Sequence, residues 1–108
     1  MKVKIPEKIF SLTHPYRIKF QRRLWMEENT QGYINHTTQI IGIEPECPPS
    51  QRDVTLIHEV IESVNRHTRC GLDDTQIDRV AHGIAEFFFS NLGIEFDWSD
   101  ITEVNDKQ

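Results

Sequence analysis

Residues 55–88 read TLIHEVIESVNRHTRCGLDDTQIDRVAHGIAEFF, and the spacing of their apolar residues decides the architecture. Ile57, Val60, Ile61 and Val64 recur at i, i+3, i+4 and i+7, the mark of an amphipathic helix. That helix is predicted over about 50–70. Ser50 is its expected N-cap, Asp53 sits in the acid-favouring first turns, Arg66, His67 and Arg69 suit the last turn, and Gly71 is the expected stop. Ile77, Val80, Ala81, Ile84, Phe87 and Phe88 form a second stripe, predicting a helix over about 73–92. Asp73 or Asp74 would cap it and Gly93 would end it.

Upstream the period changes from helical to alternating. Tyr16, Ile18 and Phe20 alternate with Arg17, Lys19 and Gln21, which predicts a half-buried strand. Two further strands are expected at Tyr33–Asn35 and Gln39–Ile43, joined as a hairpin through His36-Thr37-Thr38. Pro45, Pro48 and Pro49 then close the sheet region, 1–44. Downstream, the tail 93–108 carries Phe96 and Trp98, so its first part is expected to pack back on the domain, with 102–108 frayed. The sequence therefore predicts one α+β domain spanning 1–108, a small antiparallel sheet of about three strands packed on two helices.

Composition bounds the possibilities. With 108 residues, 37% hydrophobic and 27% charged, the chain supports one packed core and does not read as disordered. The net charge is −5, but residues 1–23 carry seven basic side chains against one acidic, and the remainder five against sixteen. The acidic total argues against a nucleic-acid binder held by bulk charge. The basic first strand is read as balancing the acidic remainder within the fold. The sequence has no apolar run of membrane-spanning length and no signal-peptide pattern. Its two cysteines, Cys47 and Cys70, are too few for a cysteine zinc site, so a cytoplasmic protein with reduced thiols is expected.

The chemistry is concentrated on the two helices. His58-Glu59-Val60-Ile61-Glu62 places His58 and Glu62 four apart, on one face of the first helix. In HExxH hydrolases this spacing lets two ligands grip an ion while the intervening glutamate acts as base; here the second ligand position is glutamate. Asp78 and His82 repeat the i, i+4 spacing on the second helix. If an antiparallel pair of helices buries both apolar stripes against one sheet, His58, Glu62, Asp78 and His82 supply four groups for one divalent ion. The same four groups could equally form ion pairs and hydrogen bonds, and the pattern alone leaves both readings open. His67 lies nine positions after His58, whereas the extended zincin spacing requires ten, where Thr68 stands. His14 is read as a loop residue and His36 as a surface residue of the hairpin.

The quoted segment resembles small zincin-like proteins of phages and prophages, related to the ImmA/IrrE-type metallopeptidases. LIHEVIES stands where the family has L-L-H-E-x-x-H-A, and Asp78-Arg79-Val80-Ala81-His82-Gly83-Ile84 where it has E-R-L-A-x-G-L. GYINHTTQIIGIEP resembles the family's hairpin, whose edge strand can hold an extended substrate. The resemblance covers about 16–92. It implies His58 as first ligand, Glu59 as the base acting on a metal-bound water, Glu62 in the place of the second histidine and Asp78 in that of the acidic third ligand. His82 is not a usual family ligand and would either replace the lost histidine or act as an acid near the oxyanion. The implied cofactor is a divalent metal, zinc first, with manganese or iron favoured by the extra carboxylate. The implied partner is a peptide or protein substrate, with selectivity supplied by a partner or a homo-oligomer. A non-catalytic zincin scaffold that binds a protein is the alternative.

Overall fold

Leu12 and Thr13 take left-handed backbone conformations (φ 47° and 73°), and this tight turn folds β2 (Lys8–Ser11) back onto β3 (His14–Phe20). The computed structural model describes residues 1–104. In β3 the alternation works as predicted: Tyr16 and Ile18 are 1% and 2% exposed, while Arg17 faces solvent. A second hairpin joins β4 (Gly32–Asn35) to β5 (Ile40–Ile43). Its turn lacks an Asn-Gly pair, and the Asn35 side chain compensates by accepting hydrogen bonds from the amides of Thr37 and Thr38 at 2.9 and 3.0 Å.

The sheet has four strands in the order β2-β3-β5-β4, and it is mixed where an antiparallel one was expected. β3 and β5 run parallel, with Ile18 beside Ile41. The reason lies in the connection. The chain between them holds the short helix α1 (Leu24–Glu28) and all of β4, a crossover long enough to return β5 in the same direction. β1 (Lys2–Lys4) pairs parallel with β6 (Glu95–Asp97) as a separate two-stranded sheet.

Two long helices follow, displaced slightly from their predicted ends. α2 spans Pro49–Thr68. It starts on a proline whose fixed φ and missing N–H suit the first helical position, so Ser50 lies inside it and is not the cap. Its left-handed terminating residue is Arg69 (φ 55°), two residues before Gly71. α3 spans Asp74–Ala85 and carries a full capping box, with the Asp73 carboxylate accepting from the Gln76 amide and the Gln76 side chain accepting from the Asp73 amide. A π-helical turn, Glu86–Asn91, continues it.

α2 is the middle layer. Leu56 and Val60 pack on the sheet core of Tyr16, Ile18, Ile41 and Ile43. Ile57, Val54 and Ile61 form a second cluster with Ala81 and Ala85 of α3. The helices therefore do not lie side by side on one sheet, and the predicted stripe of α3 is only partly covered: Ile77 is buried, but Val80 and Phe87 are about half exposed. Glu59 and Ser63 are buried because α2 is covered on two sides.

The tail packs back as expected, through stacking of Trp98 on Phe20 and a 2.7 Å hydrogen bond from Trp98 Nε1 to Asp53. Thr102–Val104 are not frayed. They lie beside Phe20, which donates to the Thr102 carbonyl and accepts from the Val104 amide. The rest of the predicted frayed tail, 105–108, lies outside the described residues. The basic first strands pair within the fold, Lys4 with Asp100 and Arg22 with Glu46 and Glu103. Among the described residues, no helix is long and apolar enough to cross a membrane.

Candidate metal centre

The helical spacing brings His58 and Glu62 together as predicted. Nε2 of His58 lies 3.9 Å from Oε2 of Glu62. On the other side of the same ring, Nδ1 lies 3.7 Å from Oδ1 of Asp78, delivered by α3. Both separations are too long for hydrogen bonds. The His58–Glu62 separation is within about half an ångström of the ligand–ligand edge of about 3.3–3.5 Å that bonds of about 2.0–2.2 Å make around a tetrahedral ion.

Glu59 completes the group from below. One ligand atom from each of His58, Glu59 and Glu62 can be chosen so that all lie within 4.8 Å of one another, and this trio could hold a metal ion. The Glu59 carboxyl is buried, and burial, its hydrogen bond with Glu62, the Glu62 charge and the charge of Asp74 together push it up to about 9. At neutral pH without a cation it holds a proton and cannot serve as a base. Two carboxylates within one helical turn, sharing a single proton, are a place where a dication would displace that proton.

The four residues named with Glu59 as site candidates thus divide. His58 and Glu62 join Glu59 in one group. Asp78 faces the ring nitrogen opposite the one that faces Glu62, so it does not share an ion held at Nε2, and a shift of about half an ångström would let it accept the Nδ1–H and orient the His58 ring. His82 stands at the rim with its side chain 62% exposed, and its Nδ1–H donates to the Asp78 carbonyl at 2.8 Å. Only its Nε2 remains to meet a ligand.

The trio lies in a cleft of about 850 Å³. Gly32, Tyr33 and Ile34 of β4 line one side, α2 the floor, Asp74, Asp78 and His82 of α3 the other side, and Trp25 of α1 also lines it. β4 is an edge strand. It runs alongside α2 in the same direction: Gln31 bonds Gln51, a Cβ at Gly32 would lie 2.5 Å from the Thr55 methyl, and His36 reaches the last turn of α2 through Tyr16. Asp74 and Trp25 were missed by sequence reasoning. Asp74 reads as a helix-start acid, and Trp25 as one exposed aromatic in a polar stretch.

No protein-family model, curated protein or solved structure matches the chain.

Proposed function

We propose that this protein is a metal-dependent hydrolase of zincin type that cleaves extended peptide. The observation that carries the reading is the His58–Glu59–Glu62 group on the floor of a cleft walled by an edge strand. A divalent ion, zinc first and manganese or iron next because a carboxylate stands in place of a second histidine, would supply Lewis-acid polarisation and a water of lowered pKa. His58 and Glu62 would hold it. Asp78 would fix the His58 ring, and Glu59, released from its proton by the ion, would take the proton of the attacking water and return it to the leaving amine. A peptide added antiparallel to β4 would run from the His36 end towards the Gly32 end, placing its leaving side on the side of Trp25. Such a reaction suits the interior of a bacterial cell, with selectivity added by a partner or a second copy of the chain.

Purified protein dialysed in turn against zinc, manganese and iron should retain close to one equivalent of one of them beyond what a His58→Ala variant retains. Less than a tenth of an equivalent of every ion sinks the reading. Glu59→Gln should keep the ion and lose hydrolysis, and activity that survives it removes Glu59 as the base.

A second reading has its own observation. Glu59 is only 4% exposed, beneath the other two groups, a position that suits holding structure more than meeting substrate water. On that reading the protein is a non-catalytic zincin-like scaffold that binds a protein through the cleft. Metal-loaded protein that binds an extended peptide and never cleaves it distinguishes the two.

A further inference from the structure

Tyr16 is buried to 1% exposure, yet its hydroxyl is held by imidazoles from two distant segments. Oη lies 3.0 Å from Nδ1 of His36, in the β4–β5 turn, and 2.8 Å from Nε2 of His67, in the last turn of α2. His14, at the start of β3, stacks on His67 with ring centres 4.0 Å apart and planes 7° from parallel. Two of the five histidines therefore hold one phenol oxygen, and a third stacks on one of them. The sequence reading had His14 in a loop and His36 at the surface; His14 instead opens β3, and His36 is half-buried. His67 lies about 13 Å along α2 from His58 and on the opposite face of the helix, so this cluster is separate from the cleft trio.

A phenol has one proton to offer two nitrogens, so Tyr16 donates to one ring and accepts N–H from the other. Among the described residues, the ion pairs of histidine with carboxylate are those of His58 and His82, and none involves these three rings. Desolvation first, then Arg66 on His36, and His14 and Arg66 on His67, hold both histidines below their ordinary range. They are neutral at pH 7, the form that ligates metals.

We propose that Tyr16, His36 and His67 form a second cation site, taking a divalent transition ion of the zinc or copper class through Oη, Nδ1 and Nε2. Two imidazoles and a phenolate are a donor set that suits both ions. Oη needs to move about half an ångström from each ring nitrogen to reach the edge of about 3.3–3.5 Å expected around zinc. A hairpin turn and the final turn of a helix are the segments that can allow it. The ion takes the place of the hydroxyl proton, which leaves to solvent, while the ring that donated N–H moves that proton to its other nitrogen and stays a neutral imidazole; the ion then ties β3, the hairpin and α2 together. Because that hairpin carries β4, the site fixes the wall of the cleft, and it does so whether or not the cleft is catalytic.

The test uses the full chain carrying His58→Ala, with zinc alone and copper(II) alone as probes. The variant is expected to bind one equivalent of zinc and to gain about 10 °C or more in Tm at free zinc a hundred times Kd. With copper(II) it should show a phenolate charge-transfer absorption that Tyr16→Phe abolishes. Adding His36→Gln should weaken zinc binding at least tenfold. A His58→Ala protein whose Tm is unmoved by zinc overturns the site, as does a shift that survives both Tyr16→Phe and His36→Gln; the cluster is then a hydrogen-bonded clasp only. If His36→Gln does not fold, Tyr16→Phe decides, because it keeps the ring in place and removes only Oη.

Discussion

Replacing Glu59 with glutamine should stabilise the metal-free protein, and the gain should depend on pH. Glu59 titrates near 9 in the fold against an ordinary 4.5. Its folded pKa is raised, so its contribution to stability is full below pH 4.5 and declines as pH rises towards 9, where the folded form also ionises. At about 1.4 kcal/mol per pH unit, the unfolded chain gains about 3 kcal/mol on the folded one between pH 4.5 and 7. Glutamine has the shape of the protonated acid, fills the same buried position and does not titrate. Its amide bond to Glu62 is weaker than an acid–carboxylate bond by about 1 kcal/mol, which leaves a net gain of about 2 kcal/mol at pH 7. For a domain of this length that is a rise of about 8–16 °C in Tm. Urea unfolding with a chelator present, at pH 5, 7 and 8.5, measures it: the two proteins should be within about 1 kcal/mol at pH 5 and should diverge steadily above. A difference that is flat with pH, or a glutamine variant that is less stable at pH 8.5, refutes the buried-proton reasoning.

Three further outcomes follow from the geometry. Asp78→Asn should weaken metal binding at the cleft by about 10–100-fold while leaving the fold intact, because it loosens the ring it orients; equilibrium dialysis at fixed pH reads it. Gly42→Ala should cost about 1–3 kcal/mol in urea unfolding, because a Cβ there would run into the Tyr33 ring across the β4–β5 pair. Asp73→Ala removes the capping box of α3 and should cost about 1 kcal/mol, seen as a lower Tm with unchanged circular dichroism below the transition.

The three strands and two long helices expected from periodicity are all present, because a half-buried strand and an amphipathic helix write their burial into neighbouring residues. The i, i+4 relation of His58 to Glu62 was legible for the same reason: it is a property of one helix. β2 was not legible, since Lys8–Ser11 buries only its last residue. The parallel pairing of β3 with β5 depends on where a 19-residue connection returns, which no local pattern records.

The histidines show the division most clearly. By sequence alone, His58 shares a helix face with a carboxylate, and His14, His36 and His67 are unrelated residues scattered over 54 positions. Tertiary packing reverses their weights. It burns no pattern into the sequence when a hairpin turn and a helix end converge on Tyr16 Oη and a strand start stacks beside them, yet that convergence makes a cluster. It also buries Glu59, by covering α2 with the sheet on one side and α3 on the other, and so decides whether that carboxyl holds a proton. Local sequence determined which groups share a helix turn, because 3.6-residue geometry is intrinsic to the backbone. Only the fold decided which of them meet across elements and which are dry, because contact and desolvation belong to the packed whole.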